Sequence, residues 1–218
     1  MTIHHHISDE TLLSYAAGDL DDAVSLLVAS HLTLCPACRR SAAVAEDIGG
    51  SMLGELDPVR MSDDALAHVL ALTERVERDP ELPVPTASRN DYVFPAPLRQ
   101  RLGGDLKDVK WHRIGYGIHQ HVLQNEDGAS QARLLRIAGG QGVLEHGHNG
   151  EEFTLVLSGG FSDGEQSFAR GDVEWANDDV IHRPVADAGE ACVCLAVTSG
   201  PLRFSNIIGR IVQPFLNI

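Results

Sequence analysis

The chain contains 218 residues, of which 43% are hydrophobic but only 5% are aromatic, so its core must be mostly aliphatic. Its formal net charge of −14 argues against direct nucleic-acid binding, because so acidic a surface repels phosphates, and it favours a basic protein partner. The N-terminus has no apolar stretch of signal-peptide length, and no run approaches the roughly 18 apolar residues of a membrane span. We therefore expect a cytoplasmic protein that binds neither membranes nor nucleic acids.

Helical signals fill residues 8–78 and predict an all-α first domain at residues 1–79. Serine and aspartate fit helix N-caps, proline fits the first helical turn, and glycine fits the residue after a helix. These signals place three consecutive helices. Their boundary residues are Ser8 and Gly18, then Asp21 or Asp22, and then Pro36 with Gly49 and Gly50.

A fourth predicted helix begins after Ser62 or Asp63 and has apolar residues along one face. That face is formed by Leu66, Val69, Leu70 and Val76. It either completes the small helical core or lies in a groove of a partner protein, and its amphipathic pattern does not distinguish these two roles.

The composition changes after this helix. Residues 79–97 contain five prolines and little periodicity, so residues 80–97 are predicted to form a linker. From residue 98 to residue 218, short apolar runs alternate with glycine-rich turns, which is typical of the strands of a sandwich or barrel. The sequence thus predicts two domains, an all-α domain at 1–79 and an all-β domain at 98–218.

His31, Cys35 and Cys38 have the spacing H-x3-C-x2-C, which suits a metal site. Because residues four apart lie on the same face of a helix, His31 and Cys35 are neighbours near the end of the second helix. The proline turn between the cysteines then allows both sulfurs to face one point. Imidazole and thiolate ligands suit tetrahedral zinc. Of the three consecutive histidines near the N-terminus, His6 lies nearest the first helix and is our choice for the fourth ligand.

Two other interpretations of the cysteine pair stay open. C-P-A-C alone is also a thioredoxin-like redox motif, although that motif usually follows a strand and opens a helix. Alternatively, the cysteines are unliganded members of the core. Since a helical domain of about 80 residues has a thin core, we favour zinc and expect that its removal loosens this domain.

A second group of potential ligands has the spacing G-x5-H-x-H-x3-E-x6-G, followed by G-x10-H. Its members are His146, His148, Glu152 and His182. The first two histidines lie two apart and so point to the same face of a strand. The glutamate enters the next strand after an Asn-Gly turn, and the last histidine comes from a neighbouring hairpin. Three imidazoles and a carboxylate form a mixed N/O site for Zn, Fe, Mn, Ni or Cu.

Two further pairs lie in the predicted strands. His119 and His121 are either polar strand residues or part of the same pocket as the barrel ligands. Cys192 and Cys194 are interpreted as small buried residues, with a redox-sensitive pair as the alternative. A disulfide between them is not expected, because residues i and i+2 of an extended strand lie near the outer distance limit for that bond.

The spacing of the barrel ligands resembles the two motifs of cupins, which are jelly-roll β-barrels. With the H-x3-C-x2-C motif and the opening MTIHHHISDETLLSYAAGDL before it, nearly the whole chain resembles the zinc-binding anti-sigma factors of the ChrR type. The ligands implied are His6, His31, Cys35 and Cys38 for zinc, and His146, His148, Glu152 and His182 for the cupin metal, which is zinc or another divalent transition metal.

The resemblance also implies a function. The N-terminal domain is expected to bind an extracytoplasmic-function sigma factor in a 1:1 complex and to hide the surfaces that bind RNA polymerase. The cupin domain is expected to release the sigma factor under stress, with singlet oxygen as the signal. The first 80 residues contain 14 acidic residues against 5 Lys and Arg, which fits a basic partner.

The main alternative is an enzyme, because a cupin metal site with an open coordination position supports dioxygenase chemistry. A stand-alone enzyme needs no zinc-binding helical domain, so we favour the regulator and expect no catalytic residues. A zinc-stabilised scaffold without a sensing function is the third interpretation.

Overall fold

The computed structural model describes residues 2–75, 92–124, 130–200 and 202–204. The helices in these residues are α1 (Asp9–Ala17), α2 (Asp22–Leu34), α3 (Pro36–Gly54), α4 (Ala65–Arg75) and α5 (Ala96–Leu102). The strands are β1 (His112–Gly115), β2 (Ile118–Val122), β3 (Gln131–Ile137), β4 (His146–His148), β5 (Glu152–Ser158), β6 (Gly160–Asp163), β7 (Gln166–Ala169), β8 (Val173–Ala176), β9 (Ile181–His182), β10 (Val185–Ala186), β11 (Cys192–Thr198) and β12 (Leu202–Phe204). None of the described helices is long and apolar enough to cross a bilayer.

The first helices begin where the capping residues predict. The side chains of Ser8 and Asp21 accept hydrogen bonds from backbone N–H groups of the first helical turn at 3.2 and 2.9 Å. Gly18 ends α1 with a φ of 74°, a left-handed conformation that glycine adopts without steric cost. Cys35 ends α2 and caps α3, so the chain turns at this residue. Contrary to expectation, α3 continues beyond its glycine pair to Gly54, since each helical glycine costs only about 1 kcal/mol.

The strands form three sheets. Six strands in the order β1-β2-β3-β11-β5-β8 make the largest, and the others have the orders β10-β6-β7 and β12-β4-β9. Residues from all three sheets line one cavity. The predicted fold class, an all-α helical region followed by an all-β cupin barrel, is confirmed. Strands β5 and β11 are buried along almost their whole length, because one face lines the cavity and the other meets α2.

The helical region and the barrel share one apolar cluster. Helix α2 packs against β3, β5, β11 and α5. Fully buried members of the cluster come from α2, α5 and the barrel strands, and include Leu27, Leu98, Leu155 and Leu195. The boundaries predicted at residues 79 and 98 remain predictions, and residues 80–91 of the predicted linker lie outside the described residues. The remaining part of that linker includes the start of α5 at Ala96.

Polar contacts also fix α2 on the barrel side. Arg101 of α5 donates a hydrogen bond to Asp22 at 2.7 Å, and the hydroxyl of Ser130 donates to Asp21. Both aspartates stand at the start of α2, where negative charge also suits the helix dipole. The orientation of α2 also fixes the position of His31, a predicted metal ligand in its last turn.

Candidate metal centres

The structure brings His6, His31, Cys35 and Cys38 together, with candidate ligand atoms within 4.8 Å of one another. We call these four residues the helical quartet. His6 precedes α1, and the other three lie at the α2–α3 junction. His6 Nδ1 lies 3.3 Å from the sulfur of Cys35 and 3.5 Å from that of Cys38. Tetrahedral zinc with bonds of about 2.1 Å to nitrogen and 2.3 Å to sulfur separates such ligands by about 3.6 Å, so the spacing fits zinc.

The imidazole of His31 is in the form that a metal ligand requires. Its Nδ1–H donates to the carbonyl of Gly171 at 2.9 Å, and a carbonyl can only accept, so the proton lies on Nδ1. Nε2 is buried and has no hydrogen-bond partner among the residues that the structure describes. Burial lowers the pKa of His31 to about 4, which keeps the ring neutral at physiological pH. An unprotonated buried nitrogen without a partner fits a metal ligand.

Both cysteines of the helical quartet are buried. Burial, together with the neighbouring Cys35, raises the pKa of Cys38 to about 11, so this thiol loses its proton only beside a cation. The other two consecutive histidines are used differently: the backbone N–H groups of His4 and His5 donate to Asp172. The choice of His6 as the fourth zinc ligand remains a prediction, and the geometry supports it.

The structure also brings His146, His148, Glu152 and His182 together, and we call them the barrel quartet. Strand β4 carries the first two and pairs with β9, which places His146 opposite His182. The Nε2 atom of His182 lies 3.1 Å from that of His148 and 3.2 Å from that of His146. The Glu152 carboxylate lies 3.3–3.8 Å from all three nitrogens. Ligands on a tetrahedral ion with bonds of 2.0–2.1 Å lie about 3.3 Å apart, so this quartet also fits a metal.

The electrostatics of the barrel quartet favour an ionised Glu152 and a positive charge beside it. Burial alone raises the pKa of Glu152, but hydrogen bonds from His146 and His182 and the imidazole charges lower it to about 2. Burial alone lowers the pKa of His182, but the carboxylates of Glu152 and Glu174 raise it to about 10. The site therefore stabilises a proton or a metal cation between its ligands.

Hydrogen bonds from Nδ1 orient two of these imidazoles. His146 Nδ1–H donates to the carbonyl of Leu144 at 2.8 Å, and His182 Nδ1–H donates to Asp163 at 3.0 Å, which leaves both Nε2 atoms for a metal. Glu174 lies 3.8 Å from the same Nδ1 of His182. Neither Asp163 nor Glu174 was predicted from the sequence. A glutamate within the otherwise apolar strand β8 was the available signal for Glu174.

A cavity of about 370 Å³ adjoins the barrel quartet, large enough for a small organic molecule. Its wall is mostly aliphatic and includes Ile118, Leu135 and Val143. Polar wall residues outside the quartet include Arg133 and Glu174. Burial lowers the pKa of Arg133 and the charge of Glu152 opposes that shift.

The structure separates His119 and His121 from this cavity. Their strand β2 lines the cavity with Ile118 and Gln120 instead. His121 Nδ1–H donates to the carbonyl of Lys110 at 3.0 Å. Because successive residues of a strand point to opposite faces, the two histidines are polar strand residues on the other face.

Cys192 and Cys194 are both buried and both free thiols. Cys192 belongs to the apolar cluster beneath β6 and β7, and Cys194 lines the cavity. A hydrogen bond with Cys192 and burial raise the pKa of the Cys194 thiol well above its usual range. Since the thiolate is the reactive form, the structure favours the interpretation as small buried residues.

We therefore expect Cys192 and Cys194 to resist iodoacetamide in the folded protein at neutral pH. Peptide mass spectrometry after timed alkylation measures this, and the same reaction in denaturant, where both thiols should be labelled fully, is the control. Labelling in the native state at the rate of the denatured chain would restore the interpretation as a redox-sensitive pair.

Residues 99–203 match the family model of the ChrR cupin-like domain. The chain is 46% identical to the anti-sigma-E factor ChrR of Cereibacter sphaeroides over 218 residues, which is 100% of both chains. The crystal structure of Rhodobacter sphaeroides SigE in complex with the anti-sigma ChrR is similar with a TM-score of 0.79 and 45% identity, over 90% of this chain and 100% of that chain. KdgF from Halomonas sp. is similar only with a TM-score of 0.39 and 17% identity, over 43% of this chain and 89% of that chain, which is too low to carry an argument.

Proposed function

Because the chain belongs to the family of ChrR anti-sigma factors, we propose that it binds an extracytoplasmic-function sigma factor in a 1:1 complex and thereby inhibits it. The complex forms in the cytoplasm, where RNA polymerase acts. The helical quartet holds Zn²⁺, which cross-links the N-terminal segment to the α2–α3 junction and supplies no chemistry beyond that. The barrel acts as the sensor that releases the sigma factor.

A group of exposed apolar side chains carries this proposal. It runs along the second half of α3, the following segment and α4, and its side chains are 47–88% exposed. We call it the α3–α4 surface, and its members are Val44, Ile48, Met52, Leu53, Leu56, Val59, Met61, Leu66, Val69, Leu70 and Leu72. Soluble proteins rarely expose so many large apolar side chains without a partner. The predicted apolar face of the fourth helix is thus available for a partner, apart from Val76, which lies outside the described residues.

Acidic residues flank the α3–α4 surface. Those exposed along it are Glu46, Asp47, Glu55, Asp57, Asp63 and Asp64. Exposed apolar and acidic side chains in one segment complement a partner that presents apolar residues within a basic, nucleic-acid-facing surface. Sigma factors bind promoter DNA and RNA polymerase, so they have such surfaces.

The double substitution Leu66→Glu/Leu70→Glu is expected to raise the Kd of the complex by at least about 30-fold, because buried interface anchors contribute about 2 kcal/mol or more. Calorimetric titration with a purified extracytoplasmic-function sigma factor of the same organism measures the change. Val122→Glu is the control for an added glutamate, since it places one negative charge at a partly exposed apolar position of the barrel. Equal Kd values for the double variant and the wild type would remove the α3–α4 surface from the proposal.

The barrel contributes the sensing function through its quartet and cavity. Singlet oxygen is the signal that the family suggests, and the electron-rich imidazoles beside the cavity are its natural targets in this chain. Oxidation of the quartet or of a metal bound there changes the charge balance that holds His182 between Glu152 and Glu174. The thiols are a weaker choice of target because both are buried, and the neighbouring Cys192 together with burial raises the pKa of Cys194 well above its usual range.

The cavity also favours a second candidate, a metal-dependent dioxygenase, because it provides room for a small substrate beside three imidazoles and a carboxylate. Oxygen uptake by the metal-loaded protein with a small diketone or phenol, together with failure to bind any sigma factor, would favour this alternative over the regulator.

A further inference from the structure

One turn of the barrel contacts the helical quartet directly. This β7–β8 turn, residues 170–172, places the Gly171 carbonyl 2.9 Å from His31 Nδ1, in a buried hydrogen bond between residues 140 positions apart. The bond fixes the tilt of the imidazole and keeps the proton on Nδ1, so Nε2 stays available to the quartet. The barrel therefore orients the imidazole of His31, a proposed zinc ligand of the helical region.

Asp172 of the same turn holds the segment that carries His6. Its Oδ1 accepts hydrogen bonds from the backbone N–H groups of His4 at 2.7 Å and His5 at 3.0 Å. Its Oδ2 accepts from the N–H of Ala169 at 2.8 Å, which fixes the carboxylate within the turn. Three N–H donors lower the pKa of Asp172 although burial opposes the shift, so the acceptor is an anion. The residue next to His6 is thereby tied to the barrel.

The strand that follows the turn contacts the barrel quartet. At Val173 the backbone N–H donates to the carbonyl of His5 at 3.1 Å. At the next residue, Glu174 faces the cavity, and its carboxylate lies 3.8 Å from Nδ1 of His182. Four consecutive residues, 171–174, therefore contact ligands or ligand-bearing segments of both quartets. A chain segment this short and hydrogen-bonded has little freedom to absorb a displacement at one end without moving at the other.

We propose that Gly171 and Asp172 are positioning residues of the helical quartet, and that the start of β8 transmits the state of the barrel quartet to His31 and His6. The inference rests on the proposed function, since it names how sensing in the barrel reaches the sigma-binding region. A shift of Glu174 with His182 moves residues 171–173, tilts His31 and loosens the His6 segment. Metal affinity at the helical quartet falls, and the helices that bind the sigma factor lose their cross-link.

Cobalt titration of the full-length protein tests this, because absorption from cobalt–thiolate bonds reports only on the quartet that contains cysteines. Asp172→Ala is expected to lower cobalt affinity at that quartet by about 10–100-fold, the usual cost of removing an outer-layer partner of a metal ligand. Asp172→Asn retains one acceptor oxygen and should fall between this variant and the wild type. Asp105→Ala is the matched control, since Asp105 also accepts hydrogen bonds from two backbone N–H groups, those of Val93 and Phe94. An unchanged cobalt affinity in Asp172→Ala and Asp172→Asn overturns the positioning role.

The transmission from the barrel quartet to the helical quartet is tested with His148→Ala, which removes a barrel ligand. This substitution is made both in the wild-type protein and in Asp172→Ala. In wild-type protein this change should alter cobalt affinity at the helical quartet several-fold, and in Asp172→Ala it should alter it little, because the connection is already broken. If His148→Ala changes the cobalt affinity of the helical quartet equally in the wild type and in Asp172→Ala, or in neither protein, the proposed transmission is wrong. Sigma binding is measured in a separate experiment. If the protein bound no sigma factor, the proposed function would fail, but the cobalt affinities would still test the positioning role of Asp172.

Discussion

Replacing Cys35 by serine, or chelating the metal, is expected to abolish high-affinity sigma binding and to free α1 and α3 while α2 stays folded. Helix α1 buries only Leu12, and α3 buries only Cys38 and Ala42, whereas α2 buries seven residues, many against the barrel. Structural zinc contributes about 10–16 kcal/mol in small peptides, far more than the apolar contacts of α1 and α3 supply. The two outer helices therefore depend on the metal cross-link, and α2 does not.

Amide hydrogen exchange of the full-length protein measures this difference. Amides of α3 should exchange at least about 100-fold faster in Cys35→Ser, equivalent to about 2.7 kcal/mol, while those of α2 and β11 change little. Cys192→Ser, a substitution of the same type at another buried cysteine, is the control and should leave α3 exchange unchanged. Slow exchange in α3 after complete zinc loss would mean that packing alone holds the helices, and the cysteines would then be core residues.

The second large effect is expected for Glu152→Gln, which should remove one metal ion per chain and abolish stress-induced release while the sigma complex still forms. Glu152 is the only anionic member of the barrel quartet, and it lies within 3.8 Å of all three imidazole nitrogens. Loss of that charge should lower metal affinity by more than about 100-fold, because even outer-layer changes cost 10–100-fold. Sigma binding persists because the α3–α4 surface is unchanged, and a several-fold change in metal affinity still leaves the helical quartet occupied at saturating zinc.

Metal analysis and release of the sigma factor under a photosensitiser measure the two parts of this prediction. Glu151→Gln is the matched control: it is the same substitution one residue earlier, at an exposed carboxylate that accepts a hydrogen bond from Trp175. Normal release from metal-free Glu152→Gln would support the interpretation as a zinc-stabilised scaffold. Loss of sigma binding in this variant would show that the two quartets cannot be separated.

The local features of this protein follow from its sequence alone. Helix starts at Ser8 and Asp21, the turn at Pro36 and the shared face of His146 and His148 depend on capping, on fixed backbone angles and on the two-residue period of a strand. Each of these acts within a few residues, so the sequence pattern suffices. The spacings within H-x3-C-x2-C and H-x-H-x3-E are equally local, which is why most members of both candidate sites, and the cupin fold that the second motif resembles, were predictable. That these residues bind metals remains a prediction.

Tertiary structure decided the features that join distant segments. The bond between His31 and Gly171 links residues 140 positions apart, and Asp172 meets His4 across 168 positions, so no local pattern predicts either contact. The sequence also left open whether the apolar face of the fourth helix is buried in the core or exposed, because its amphipathic pattern is the same in both cases. Its exposure follows from α2, and not α4, occupying the outer face of the barrel. The sequence thus determined which residues are candidate metal ligands, and long-range packing decided which segments hold those residues in place and which apolar side chains remain exposed.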